Sequence, residues 1–192
     1  MDAEILRRFA APAGLGGGAL VVALILAEGA ILIGPLTLVW LWVAGGVRDR
    51  RAAVTAALAG LIALGVAGFI SSQVDRPRPF VVGLAQNYLN HPADSSLPSD
   101  HAALLFALSA GLALRGRVGP GALLLIVGAL VGAARVFLGA HYPTDILAGA
   151  LVGLVAGVVV GRGPGVCLAN GLTAFGEWVY DAPLRALQRR FR

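Results

Sequence analysis

Charged and polar residues divide an otherwise apolar chain into lengths of membrane-span size. About 20 consecutive apolar residues cross the roughly 30 Å hydrocarbon core of a bilayer. Suitable stretches run from about Gly29 to Gly46, Ala52 to Ile70, Ser99 to Leu114, Val118 to Ala134 and Asp145 to Gly161. The pattern predicts an all-α, polytopic integral-membrane helix bundle of five crossings, or six if a further segment inserts. Before Glu28, the apolar stretch that begins at Gly14 is too short to cross alone. It is expected to be interfacial or re-entrant, and Gly34-Pro35 interrupts the run again. With Arg7 and Arg8 ahead of it and Ala27-Glu28-Gly29 behind it, this start also resembles a signal peptide. A retained first helix is the expected reading.

The stretch 164–180 carries Asn170, Thr173 and Glu177 among its apolar residues. A crossing there would carry the arginine-rich tail across the membrane. A cytoplasmic surface helix is therefore expected, with Leu184, Leu187 and Phe191 at helical spacing among arginines as an interfacial anchor. Residues 1–192 read as one domain with a core of 28–161 and a surface tail of 163–192. Gly149, Gly153, Gly157 and Gly161 recur every four residues, as do Gly128 and Gly132. Such stripes let helix backbones approach closely and predict a tight bundle.

Composition sharpens the class. The chain is 58% hydrophobic and 13% charged, with a mean hydropathy of +0.83. Soluble domains run nearer 45–50% apolar and about 25% charged, so a water-soluble enzyme and a disordered chain are both excluded. The single cysteine, Cys167, rules out an internal disulfide and a multi-cysteine metal site.

All 15 basic residues are arginine. Arg48, Arg50 and Arg51, then Arg115 and Arg117, then Arg162 fall between or after spans on one side. The positive-inside rule makes that side cytoplasmic. Arg76, Arg78 and Arg135 fall on the opposite, outer side, where the chain's polar chemistry is concentrated.

Three clusters carry that chemistry. In Asp75-Arg76-Pro77-Arg78-Pro79-Phe80, each proline holds the residue before it in an extended conformation. Both arginines then present planar donor forks suited to phosphate, and either one can instead meet lipid headgroups. In Leu97-Pro98-Ser99-Asp100-His101, a serine cap opens a helix whose free N–H groups favour an anion. His101 there can move a proton near neutral pH. The third cluster runs from Arg135 to Asp145 and contains His141-Tyr142-Pro143-Thr144. Asp145 is close enough in sequence to orient the His141 ring and leave its other nitrogen free to attack. Two histidines beside an anion site suggest phosphoryl transfer through a phosphohistidine. Glu28, His91 and Asp94 are candidates for shaping the entrance.

These clusters resemble the type-2 phosphatidic-acid phosphatase superfamily, whose motifs are K-x-x-x-x-x-x-R-P, P-S-G-H and S-R-x-x-x-x-x-H-x-x-x-D. Arg78-Pro79, then Pro98-Ser99-Asp100-His101, then Arg135, His141 and Asp145 match in order and spacing. The aspartate at 100 and the stretch Asn90-His91-Pro92-Ala93-Asp94-Ser95-Ser96 are similar to the bacitracin-resistance type of undecaprenyl-diphosphatase. The chain departs from the pattern at Ser71 (for lysine), Asp100 (for glycine) and Ala134 (for serine).

The resemblance implies a membrane phosphatase that converts undecaprenyl diphosphate to the monophosphate at the outer face of a bacterial inner membrane. It implies His141 as nucleophile, Asp145 as its orienting group and His101 as acid. Arg78, Arg135, Ser99 and Asp100 would form the phosphate site, with Arg76 as the substitute for the missing lysine. The partners implied are the lipid substrate and membrane lipid, with no nucleic acid, metal or cofactor. The alternatives are a phosphatase for phosphatidylglycerol phosphate or phosphatidic acid, or a lipid-binding or transport protein without turnover.

Overall fold

In the computed structural model of the chain, residues 2–190 are described, apart from the side chains at 181 and 183–190. The expected anchor residues Leu184, Leu187 and Phe191 lie outside the described residues. The described chain is almost wholly helical. Its elements are α1 (Asp2–Phe9), α2 (Gly17–Leu24), α3 (Ile33–Ala44), α4 (Val47–Gln73), α5 (Asp100–Leu114), α6 (Val118–Phe137), α7 (Pro143–Gly161) and α8 (Gly165–Arg190). Four runs are long and apolar enough to cross a membrane: Gly17–Ala44, α4, α6 and α7. Their outward faces stay apolar, as at Leu61, Phe69, Leu147 and Leu151, each more than 60% exposed. The chain is a multi-pass membrane protein.

The structure corrects the reading of the N-terminal apolar stretch. Gly17–Ala44 is one helical run of 28 residues, about 42 Å long at 1.5 Å per residue, and not a re-entrant segment followed by a span. A π-helical turn at Ile25–Gly29 and a 3₁₀ turn at Ala30–Leu32 join α2 to α3. The wide turn carries Glu28 outward, where it is exposed, so one carboxylate does not end the helix. Pro35, which cannot donate a helical hydrogen bond, lies just after the 3₁₀ turn at Ala30–Leu32, where the regular α pattern is already interrupted.

Fifteen-residue α5 spans only about 22 Å, shorter than a free-standing span. It sits at the centre, packed by α4, α6 and α7. A helix enclosed on all sides needs no polar face, and Ala102, Ala103, Leu105, Ala107, Leu108 and Leu112 are all buried. The glycine stripe of α7 faces it along its whole length. A Cβ at Gly149 would strike the Ser99 carbonyl, and one at Gly153 the Ala103 carbonyl. Gly157 meets Ala110, and Gly161 meets Leu114. From the far side of α5, Gly111 lies on the Ala56 backbone of α4.

Helix α8 lies at one end of the bundle, against the α3–α4 and α5–α6 turns. Arg115 donates to Asn170 at 3.0 Å, Arg50 pairs with Glu177 at 3.8 Å, and Trp42 meets Tyr180 edge to face. At the other end α1 docks on α6 and α7 through buried Leu6.

Because Gly149 sets the distance between the start of α5 and the start of α7, Gly149→Val should lower stability by about 1–3 kcal/mol, the usual overpacking cost. Thermal unfolding in detergent checks it. A melting temperature equal to that of the parent would contradict the close approach.

Candidate active site

Cluster one leaves the end of α4 as extended chain. Proline at 77 and 79 removes helical options for its neighbours, and the segment pairs with the loop before α5. Pro77 bridges Ser95, and Ser96 N–H donates to the Arg76 carbonyl at 2.9 Å. This pairing turns both arginines toward the α6–α7 turn, where they meet different groups. Arg78 is buried. Its Nε donates to Asp94 Oδ1 at 2.7 Å and its Nη1 to the Ala140 carbonyl at 3.0 Å, and Nη1 lies 3.3 Å from His141 Nε2.

The His141 ring is held by partner chemistry. Its Nδ1 is 2.8 Å from the Ser96 carbonyl, which can only accept, so Nδ1 carries the proton. Nε2 is left unprotonated, and its lone pair accepts from Arg78 Nη1. Asp145 Oδ2 is 3.8 Å from Nδ1, at ion-pair range and beyond hydrogen-bond reach. The expected direct bond from Asp145 is thus taken by the Ser96 carbonyl. Asp145 itself is fully buried. Its Oδ2 accepts the Tyr142 N–H at 2.8 Å, closing a capping box at the start of α7. Its Oδ1 accepts from Arg76 Nη1 at 2.5 Å.

Arg76 is therefore turned to a carboxylate, not to the pocket. Its Nη2 meets Asp2 of α1 at 2.6 Å, and its guanidinium covers the Tyr142 ring at 4.3 Å. Thr144 also bonds both Arg76 and Asp2. Burial pushes the Asp2 carboxyl up, but hydrogen bonds from Thr144 and Arg76 outweigh it and hold it below its ordinary value.

Ser71, Arg78, His91, Asp94, Asp100, His101, Arg135 and His141 all line one small pocket of about 90 Å³, together with Ser95 and Pro98. At roughly 30 Å³ per water in the liquid, that is room for a single phosphoryl group. Arg135 is buried. Its Nη1 reaches the Ala27 carbonyl of the π turn at 3.3 Å and His101 Nε2 at 3.2 Å, and its Nε has no hydrogen-bond partner among the described residues. A buried unpaired donor at a pocket wall is a binding group in waiting.

Ser99 caps α5 by accepting from Ala102 N–H at 3.5 Å, and its own N–H donates to the Asp145 carbonyl at 3.1 Å. It is not among the pocket's lining residues. Asp100 is exposed and lines the pocket, while Ser71 stands in the wall at the motif-lysine position.

Sequence reasoning underweighted His91 and Asp94. His91 lies 6.4 Å from His141, ring centre to ring centre, and Asp94 is the counter-ion of Arg78. Burial pushes the Asp94 carboxyl up, but the Arg78 hydrogen bond and charge hold it below its ordinary value. The available signal was their separation of three residues within the motif-rich loop, which pairs them at 3.6 Å.

If Arg76 serves Asp145, Arg76→Ala strands a fully buried carboxylate. Breaking a buried pair costs about 3–5 kcal/mol. The low end is expected because the Arg76 side chain is itself 27% exposed. Thermal unfolding should show the loss, while Arg76→Lys should leave KM near the parent's. A large rise in KM with unchanged stability would make Arg76 a phosphate ligand instead.

Comparison with known proteins agrees with this geometry. The PAP2 superfamily matches residues 51–165, which include all three clusters. YbjG of Escherichia coli (strain K12) is 33% identical over 70% of this chain and 68% of its own. The undecaprenyl-diphosphatase BcrC of Bacillus subtilis (strain 168) is 33% identical over 70% of this chain and 69% of its own. A decaprenylphosphoryl-5-phosphoribose phosphatase of Mycobacterium tuberculosis is 31% identical over 59% of this chain and 62% of its own. The crystal structure of Aquifex aeolicus LpxE shares the fold, with a TM-score of 0.60 at 22% identity over 82% of this chain and 93% of that one. With its three motifs drawn around one pocket in a helical membrane bundle, the chain belongs to the PAP2 superfamily and is a lipid phosphatase, a hydrolase.

Proposed function

We infer that the substrate is undecaprenyl diphosphate, cleaved to undecaprenyl phosphate and inorganic phosphate through a phosphohistidine. The observation that carries the chemistry is the His141 tautomer: Nδ1 donates to the Ser96 carbonyl, and the unprotonated Nε2 accepts from Arg78, a bond that the substrate phosphate must take over for Nε2 to attack. The lipid comes from the likeness to BcrC of Bacillus subtilis.

The Nε2 lone pair attacks the terminal phosphorus, and the bond to the bridging oxygen breaks. His101, entering the step protonated, gives that oxygen its proton and becomes neutral, and the lipid monophosphate leaves. The imidazolium that forms is stabilised by the Ser96 carbonyl and the Asp145 charge. Arg78 and Arg135 donate to the equatorial oxygens, where charge must be stabilised in the transition state. Water then attacks the phosphohistidine, gives its proton to His101, and releases phosphate with both histidines restored.

With serine at 71, Arg78 and Arg135 are the only arginines lining the pocket among the described residues. Asp94 already offsets part of the Arg78 charge. This economy favours a second reading in which the substrate is a phosphomonoester lipid such as phosphatidylglycerol phosphate or phosphatidic acid. The Mycobacterium tuberculosis relative is named for another lipid phosphate. The pocket opens on the periplasmic side if the arginine-rich turns at the other end face the cytoplasm.

Four outcomes are expected. First, purified protein should release phosphate faster from undecaprenyl diphosphate than from phosphatidylglycerol phosphate or phosphatidic acid; the reverse order would overturn the substrate assignment, and no turnover on any would leave a binding protein. Second, His141→Ala should abolish turnover, and a quenched reaction of the parent with labelled substrate should carry acid-labile label on His141. Third, burial lowers the His141 pKa, the charges of Arg135 and Arg78 add to this, and Asp145 opposes it. The neutral nucleophile therefore persists below the ordinary value of about 6.5, and NMR titration of the free enzyme should place its midpoint there; a midpoint above 6.5 would contradict the derived charge state. Fourth, exposed Cys167 should resist a membrane-impermeant maleimide in intact spheroplasts, whereas Asn90→Cys in a Cys167→Ser background should react. Labelling of Cys167 would invert the orientation.

A further inference from the structure

A second polar pocket lies at the end of the bundle away from the catalytic residues. It holds about 370 Å³ and is lined by Arg48, Arg51, Arg115 and Arg117 with Leu114 and Gly116. Arg48 and Arg51 come from the first turns of α4, and the others from the α5–α6 turn. Gly116 has φ +81°, a left-handed turn that a side chain would strain, and it places Arg115 and Arg117 on one rim. The positive charge is poorly balanced. Arg117 is paired with Asp49 at 2.6 Å, and Arg115 bonds only the neutral Asn170 amide. Arg48 and Arg51 are exposed and have no carboxylate partner among the described residues. Four guanidiniums around one cavity, three of them without a counter-ion among the described residues, describe a site for a phosphate oxyanion.

An apolar groove begins two residues further along α6. It holds about 400 Å³ and runs between α3 and α6, lined by Leu36, Trp40, Pro120 and Leu123 among others. Trp40 is 60% exposed, as expected of a tryptophan at the membrane–water boundary. A free phosphate has no use for this groove, whereas a lipid presents a phosphate at the headgroup level and a hydrocarbon chain below it. Basic pockets between membrane helices on this kind of face bind anionic headgroups.

We propose that this end of the bundle binds an anionic phospholipid, its phosphate held by Arg48, Arg51, Arg115 and Arg117 and an acyl chain lying in the α3–α6 groove. The site is separate from the catalytic pocket and does not depend on which lipid is hydrolysed. Its occupant ties the α4 start to the α5–α6 turn. That joins both helices flanking the catalytic pocket at their far ends.

The test is thermal unfolding of the full chain in neutral detergent with phosphatidylglycerol, phosphatidylcholine or inorganic phosphate added. Phosphatidylglycerol should raise Tm by about 3 °C or more, and the other two should not. Arg48→Gln combined with Arg51→Gln should remove the shift while leaving Tm without lipid, and turnover in phosphatidylcholine, as in the parent. Leu123→Trp, which fills the groove, should weaken the shift with the arginines intact. Three results would overturn the proposal: an equal shift with phosphatidylcholine, an equal shift with inorganic phosphate, or a phosphatidylglycerol shift that survives the double substitution. The last would place the lipid elsewhere, the catalytic pocket included.

Discussion

Everything at the catalytic end depends on the backbone contact between α5 and α7. Glycine at 149 and 153 lets the two helices meet without intervening side chains. In a bilayer this contact gains little from hydrophobicity, because lipid tails are as apolar as leucine, and it rests on close van der Waals packing. The contact sets the start of α5 against the start of α7, where the Ser99 N–H donates to the Asp145 carbonyl. One bond thereby fixes His101 of the second cluster relative to His141 of the third. Arg135 arrives from the last turn of α6, which packs on the same central helix.

Charge is arranged in two layers around His141. On the pocket side stand Arg78 and Arg135, partly offset by Asp94. On the opposite side a buried carboxylate, Asp145, is linked through the half-buried Arg76 to the half-buried carboxylate of Asp2. The inner array fixes the carboxylate that faces the His141 Nδ1 proton, and the outer layer lines the pocket. Buried charges are costly unless paired, and this one is paired by the short N-terminal helix α1. A segment that looks peripheral in the sequence thus contributes a carboxylate three contacts away from His141, through Arg76 and Asp145.

The five apolar stretches and their polar turns were legible in the sequence because a bilayer imposes length and polarity on any chain that crosses it. The motif residues were legible as a set because arginines and histidines are rare in an apolar chain and recur here in three short clusters on one side of the predicted spans. The run Gly17–Ala44 is not legible in the same way, because a single carboxylate, Glu28, reads as a boundary in an apolar stretch. Local hydropathy cannot register a π turn that carries a side chain outward while the backbone stays bonded.

By itself the sequence determined the class of molecule, the number of apolar helices, and which histidines and arginines gather at one end. Those follow from local composition and spacing. Only the tertiary structure decided how each polar atom is used. It gave His141 Nδ1 to the Ser96 carbonyl, Asp145 to Arg76 and the Tyr142 N–H, Asp94 to Arg78, and Ser99 to the helix cap. Hydrogen-bond partners depend on distances of a few tenths of an ångström between segments far apart in the chain. Those distances are set by how closely α5, α6 and α7 pack.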